Sequence, residues 1–544
     1  MHARLHWIEA HHARLIWLAV LAGAVLRFQG LGWDGWHQFH PDERNLADAA
    51  RALSFPDALL PGFHAYNGLA LYLPRALAWA VFGPAPDMAV VTWAARFLSA
   101  GFGSLTVLIG ARVALDLGGA LAGVAAALLL ATSATLIQWA HFGTTESAMM
   151  LAVAVLWWLT LRHLAMRDPP LRAALLSGLV LGLALGMKTS AAAFSIIPLA
   201  GLGLMWRVHG RPLPAALFAG VAVAAIVFLA KTPSILLATR DYLAVMAFEA
   251  DVVSGAADVF WTLQFDGARN GLFEIRTLWQ MLDGGILVLA LIGAGLALRN
   301  RRAACLPALV FVIAYCGIVF FWHAKFARYL APVLPVLLVF AGLAVSDIAR
   351  ARWQSVRVAT LAAMALSGVT GLAMAASFQS TDPRVAASAY LRHQIRAGET
   401  ILREPVDIGA PLFDWPSLEH LPLLEPQSPG KLADIAEKVA KALWLVINSR
   451  RHWAVLPRIQ RYAPQLCGFY AALAAGDFGL AEVARFHRAE PLRGLFRPGL
   501  TAEETRVVFD RPQVILYRRV ARTPADAIAA AIAAQGNDCR QVQP

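Results

Sequence analysis

The chain has 544 residues, 58% hydrophobic and only 15% charged, with a mean hydropathy of +0.57. A soluble protein carries roughly a quarter charged residues, so a soluble globular enzyme is excluded and a polytopic membrane protein is indicated. The formal charge of +12 does not call for nucleic acid, because Arg and Lys also mark the cytoplasmic loops of membrane proteins. No Gly-rich phosphate loop ending in Lys-Ser/Thr occurs, nor a His-Glu-x-x-His run, which argues against an ATPase or a zinc protease. The excess of Arg over Lys, with abundant Ala, is the association expected of a GC-rich bacterial genome.

Apolar runs predict about eleven transmembrane helices, at 14–31, 90–114, 119–139, 147–165, 172–187, 190–206, 214–231, 279–298, 304–322, 329–347 and 355–377. A span needs roughly 20 residues. The fifth and sixth are shorter, and read as two short helices meeting at Lys188, with the backbone break covered by protein. A cytoplasmic N-terminus gathers fourteen Arg in the short loops on that face, from Arg4 to Arg357, against four carboxylates. The opposite orientation would export nearly all of them, against the positive-inside rule. Two long loops, 32–89 and 232–278, then face outward and hold twelve of the eighteen carboxylates before residue 378.

The first outer loop carries His37-Gln38-Phe39-His40-Pro41-Asp42-Glu43-Arg44-Asn45. Pro41 suits the first position of a helix, and Asp42 and Glu43 then fall in its first turn, where negative charge is favoured. Carboxylates held at a membrane surface are functional candidates, set here against a plain solvated helix start. Further on, Phe63-His64-Ala65-Tyr66-Asn67-Gly68 leads into Leu69–Trp79, suited to a helix lying in the interface.

Three later clusters stand out. His141-Phe142-Gly143-Thr144-Thr145-Glu146 opens the fourth span, as a helix cap or with Glu146 in a site. Lys188 is alone in a long apolar stretch, which calls for an anion partner or snorkelling. His323-Ala324-Lys325-Phe326-Ala327-Arg328-Tyr329 places Lys325 and Arg328 outside, against the positive-inside pattern; a phosphate would want them, and so would lipid headgroups.

After residue 377 the composition changes to 21 Lys/Arg and 17 Asp/Glu with no membrane-length apolar run. Glu399–Leu402, Ala442–Ile447 and Val514–Tyr517 read as strands, and Ser388–Ile395 and Leu432–Leu443 as helices. The division is therefore a membrane domain over 1–377 and a small extracytoplasmic α/β domain over 378–544. Arg450-Arg451-His452 reads as a solvated loop. Cys305 and Cys316 read as core; Cys467 and Cys539 would form a disulfide if that region is exported and the two meet.

Paired acids and separated cations on one membrane face fit transfer of a group from a phospholipid carrier to an acceptor hydroxyl. A carboxylate takes the acceptor's proton, and fixed cations stabilise the departing phosphate. The chain resembles the GT-C glycosyltransferases, in the group of protein O-mannosyltransferases and aminoarabinose transferases that use polyprenyl-phosphate sugars. The resemblance rests on His40-Pro41-Asp42-Glu43, His141 to Glu146, Gly186-Met187-Lys188, Arg328-Tyr329-Leu330-Ala331-Pro332 and Asp510-Arg511-Pro512. Two departures are Tyr66-Asn67-Gly68, where a proline-containing run is common, and Glu146, often Asp.

The resemblance implies an inverting enzyme of the bacterial cytoplasmic membrane, working on its outer face, with Asp42 as general base and Glu43 in support. His40, Glu146 and Tyr66 would position sugar or acceptor, or the acids would hold a divalent cation. Lys188 and Arg328, with Lys325, His141 and Tyr329 behind them, would hold the carrier phosphate. The expected partners are a polyprenyl-phosphate-linked sugar and a protein, lipid or glycan acceptor, and no nucleic acid. The rival from another class is a transporter or flippase of a lipid-linked precursor, for which internal repeats are expected and none is seen. A third is an envelope assembly protein.

Overall fold

The computed structural model describes residues 2–167, 169–209, 214–300, 302–405, 409, 411, 415, 417–425, 428, 430–459, 465–488 and 503–535. Each of the eleven predicted spans is helical. Seven helices among the described residues are long and apolar enough to cross a membrane: His6–Phe28, Met88–Gly118, Glu146–Leu164, Pro170–Met187, Thr189–Arg207, Ala327–Ala349 and Gln354–Ser377. The third predicted span is a pair, Ala120–Thr132 and Ala134–Ala140, bent by 55°, and the eighth joins Leu272–Met281 to Gly285–Arg299 at 106°. The remaining two are the shorter apolar helices Ala215–Lys231 and Ala303–Val319.

The chain falls into two compact units. The first, residues 1–31, 42–253 and 269–376, holds the spans. Breaks in spans expose carbonyls that lipid cannot satisfy, and polar side chains from other helices meet them. At the 55° bend, Arg27 Nη1 donates to Ala131 O (2.9 Å) and Nη2 to Leu130 O (2.8 Å), with Gly23 O as a third acceptor. At the 106° bend, Thr135 Oγ1 donates to Met281 O at 2.9 Å. Arg27 is completely buried, so an Arg inside the first span acts as a backbone cap.

The second unit comprises 32–41, 254–268 and 377–544. Its sheet has five strands, β1 (Ile401–Arg403), β2 (Leu418–His420), β3 (Trp444–Ile447), β4 (Leu480–Phe486) and β5 (Val514–Arg519), in the order β2-β1-β3-β5-β4. β1 runs parallel to β2 and β3, while β5 is antiparallel to β3 and β4. Trp444 and Val446 enter one apolar layer with Ala387 and Leu391, and Leu445 and Ile447 enter the other with Ile435 and Phe469. A strand buried on both faces reads as a continuous apolar run, which is why β1, β3 and β5 were visible in the sequence and the edge strands β2 and β4 were not.

Two further expectations need correction or completion. Arg450-Arg451-His452 is not a solvated loop: Arg451 is 3% exposed and His452 fully buried, in a single π-helical turn. Arg451 Nε donates to Glu504 Oε1 at 2.6 Å, a pairing across 53 residues that sequence reading could not supply. Cys305 and Cys316 are free and Cys467 is disulfide-bonded; Cys539 lies outside the described residues.

Replacing Arg27 by Met leaves Leu130 and Ala131 carbonyls unpaired at membrane depth. At about 1–3 kcal/mol per buried unpaired group, the variant is expected to lose several degrees of melting temperature in detergent. An unchanged thermal unfolding profile would show that the bend needs no cap.

Candidate active site

The helix Pro41–Arg51 begins as the sequence indicates, with Pro41 leading and both acids in the first turn. Neighbouring residues on a helix point about 100° apart, and the two carboxylates part company accordingly. Glu43 is fully buried. Its Oε1 accepts from Arg96 Nη2 at 2.5 Å, and its Oε2 from Arg96 Nε at 2.9 Å and from the Gly143 backbone N–H at 2.5 Å. Arg96 Nη1 donates in turn to Leu31 O at 2.6 Å. A Cβ on Gly143 would lie 2.7 Å from Ala95 Cβ and 3.2 Å from Glu43 Oε2, so this close approach requires glycine. Glu43 is thus a structural clamp, with both oxygens committed and no solvent access.

Asp42 faces the other way. Its Oδ2 accepts from Arg328 Nη1, and both side chains keep about a quarter of their surface exposed, 24% and 22%. The guanidinium lies 4.8 Å from the Phe326 ring centroid and 5.8 Å from that of Tyr329. Lys188 Nζ stands over the same Tyr329 ring at 5.7 Å and over Tyr66 at 5.3 Å. Arg328 Nε is buried without a hydrogen-bond partner among the described residues. An acid from position 42 and cations from 188 and 328 therefore share one set of aromatic walls.

Two further carboxylates bear on this set. Glu146, 5% exposed, opens the helix Glu146–Leu164. Glu249 lies on the helix Thr239–Ser254. Burial raises the Glu249 carboxyl above the usual carboxylate range, and Lys188 opposes that shift. Burial likewise raises the Tyr66 phenol well above its ordinary value, helped by Glu146, Glu249 and Tyr329. Tyr66 is therefore a neutral hydroxyl donor at any physiological pH.

The expectations for Lys325 and His141 are corrected. Lys325 is 4% exposed, and its ammonium donates to Glu274 Oε1 (2.7 Å), Trp322 O (2.7 Å) and Phe320 O (3.1 Å). An ammonium has three donors, so Lys325 has none left for a phosphate. His141 is fully buried, its ring nitrogens 2.8 Å from Ile137 O and from Gln29 O; it ties loop backbone together and backs no phosphate. His40 belongs to the second unit, where its ring centroid lies 4.1 Å from that of Phe509. Among the described residues no three His, Cys, Asp or Glu side chains gather as a metal ligand set; Asp42 is held by Arg328 and Glu43 by Arg96.

Sequence reading missed Arg96, Asn67, Tyr242 and Glu249. Arg96 did carry a signal, since an ionisable residue inside an apolar span implies a partner. Removing one member of a buried ion pair costs about 3–5 kcal/mol. Glu43→Ala is thus expected to unfold at a markedly lower temperature in detergent, whereas Asp42→Ala, at a half-open pair, stays close to the parent. Equal losses from the two variants would contradict the division of roles.

No family model matches the sequence, and no curated protein matches it. Solved structures do. The oligosaccharyltransferase AglB of Archaeoglobus fulgidus, in complex with an inhibitory peptide and a dolichol-phosphate, is 14% identical, with a TM-score of 0.50 over 84% of this chain and 72% of that one. The oligosaccharyltransferase of the same organism in its apo form gives 15%, 0.50, 89% and 75%. ArnT of Cupriavidus metallidurans bound to undecaprenyl phosphate gives 13%, 0.49, 92% and 97%. The chain thus shares the fold of the Archaeoglobus fulgidus oligosaccharyltransferase.

Proposed function

We propose that this protein is an inverting glycosyltransferase that moves a sugar from a polyprenyl-phosphate carrier to an acceptor on the outer face of a bacterial cytoplasmic membrane. The observation that carries the reading is the meeting of Asp42, Arg328 and Lys188 around Tyr329. The GT-C fold supports it. AglB, at a TM-score of 0.50, was solved with a dolichol-phosphate, a lipid phosphate of the class proposed here.

Lys188 makes no salt bridge or hydrogen bond through its ammonium among the described residues, and Arg328 keeps a spare Nε–H. Two cations with unused donors beside aromatic rings suit a phosphate, which accepts charge-assisted hydrogen bonds at several oxygens. The acceptor oxygen attacks the anomeric carbon while the bond from that carbon to the phosphate oxygen breaks. The lipid phosphate leaves with the electron pair, held by Lys188 and Arg328, and the acceptor's proton passes to the Asp42 carboxylate. Direct displacement inverts the anomeric centre. No general acid is needed, because a phosphate departs as an anion.

The Asp42–Arg328 pair gives the resting site a definite state. A carboxylate engaged by a guanidinium is a poorer proton acceptor, so the arriving phosphate, by competing for Arg328, frees the base. Tyr66, Glu146 and Glu249 line the region in which sugar or acceptor hydroxyls would be oriented. The reading assigns no step to a metal ion.

Positioned general bases contribute roughly 10²–10⁴-fold to rate. Asp42→Asn, purified in detergent and supplied with a polyprenyl-phosphate sugar, is expected to lose turnover by about that factor while still binding the carrier. Undiminished turnover would remove Asp42 from the mechanism. Because detergent micelles have no compartments, transfer by the parent protein also separates an enzyme from a transporter.

A further inference from the structure

We infer that Asn67 is a positioning residue: its side chain closes the helix break that presents Lys188, and so sets the affinity of the site for a lipid phosphate. The inference rests on reading Lys188 as a ligand of that phosphate.

The helix Pro170–Met187 ends at Lys188, whose backbone is extended (φ −155°, ψ 130°), before a 3₁₀ turn over Thr189–Ser195. The last four carbonyls of a helix have no partner within it, and at membrane depth water does not supply one. Ala184 O is taken by the Lys188 N–H at 3.0 Å. Asn67, from the first outer loop, takes two of the others: its side-chain Nδ2 donates to Leu185 O at 2.6 Å and its backbone N–H to Met187 O at 3.2 Å. The same Nδ2 reaches Thr189 Oγ1 at 3.1 Å, so one amide spans the break from its near side to its far side.

The amide is itself held. Tyr242 Oη, on the helix Thr239–Ser254, donates to Asn67 Oδ1 at 3.0 Å and lies 3.3 Å from Thr189 Oγ1. Asn67 is 1% exposed. A Cβ on Gly68 would stand 2.3 Å from Lys231 O, so the chain at 67–68 is pressed against the end of a neighbouring helix. Tyr66, which directly precedes Asn67, supplies one of the two rings under the Lys188 ammonium. Asn67 thereby fixes the cation and its aromatic floor with a single residue.

The chemistry selects asparagine. The position uses two amide donors and one amide acceptor at once. Asp has no donor at neutral pH and would set a carboxylate against Leu185 O; Ala leaves that carbonyl without its donor and the Tyr242 hydroxyl with Thr189 Oγ1 alone; Gln places the amide one methylene too far.

The test measures binding of undecaprenyl phosphate, without sugar, to purified full-length protein in detergent, alongside melting temperature. Loss of one charge-assisted contact is worth about tenfold in affinity. Lys188→Met and Asn67→Asp are each expected to weaken binding by about that factor, and Tyr242→Phe, a milder change that keeps the fold, weakens it in the same direction. In the Lys188→Met background Asn67→Asp should add less than about twofold. If Asn67→Asp and Tyr242→Phe lower the melting temperature yet bind the lipid like the parent, Asn67 is merely structural and the inference falls. If Asn67→Asp costs as much without Lys188 as with it, Asn67 acts elsewhere and the inference also falls. If Lys188→Met itself binds like the parent, the underlying reading of Lys188 is wrong, and the inference goes with it.

Discussion

The membrane unit depends on the buried pair between Glu43 and Arg96. Two charges with no solvent access are costly to hold inside a protein unless every lone pair and donor is matched, and here the carboxylate also receives the Gly143 N–H while the guanidinium reaches Leu31 O. That arrangement locks the start of the helix Pro41–Arg51 against the span Met88–Gly118 and the loop before Glu146. With Glu43 turned into the core, the helical geometry leaves Asp42 on the side where Arg328 waits. An adjacent acidic pair thus splits into one member locked in the core with Arg96 and one left half-exposed beside Arg328, and the first fixes the second.

A second constraint runs through the same unit. Several spans are broken, and each break needs donors for carbonyls that the lipid cannot serve. Arg27 serves the bend after Leu130, Thr135 the bend after Met281, and Asn67 the end of the helix at Met187. The donors come from helices and loops distant in sequence, so the breaks also tie the fold together. The break after Met187 carries Lys188 itself, one of the cations over the Tyr329 ring, which gives irregular backbone there a use beyond packing.

The sequence made the spans legible because hydrocarbon thickness imposes their length and apolarity, and all eleven runs correspond to helices. The placement of Asp42, Lys188 and Arg328 outside the apolar pattern was legible for a related reason: ionisable groups at a membrane need partners. Which partner each one has was not. Lys325 and Arg328 are three residues apart and look equivalent in sequence, yet Lys325 is spent on Glu274 and two carbonyls while Arg328 meets Asp42. His141 looked like chemistry and serves backbone. Asn67 stood out only within the Tyr66-Asn67-Gly68 departure from a proline-containing run, since an uncharged amide in a loop shows its use only when the carbonyls it caps are in view. In the second unit the buried strands were readable from apolar runs, and the edge strands, half exposed and mixed in composition, were not.

The central claim is that a carboxylate near the start of the chain and two cations far downstream form one site for a lipid phosphate. The most direct measurement is an experimental structure of the protein with undecaprenyl phosphate bound. The account predicts phosphate oxygens within hydrogen-bonding distance of Lys188 Nζ and the Arg328 guanidinium, with the Asp42 carboxylate released from Arg328 and open to solvent. A phosphate seated away from both cations, with the Asp42–Arg328 pair intact, would contradict it.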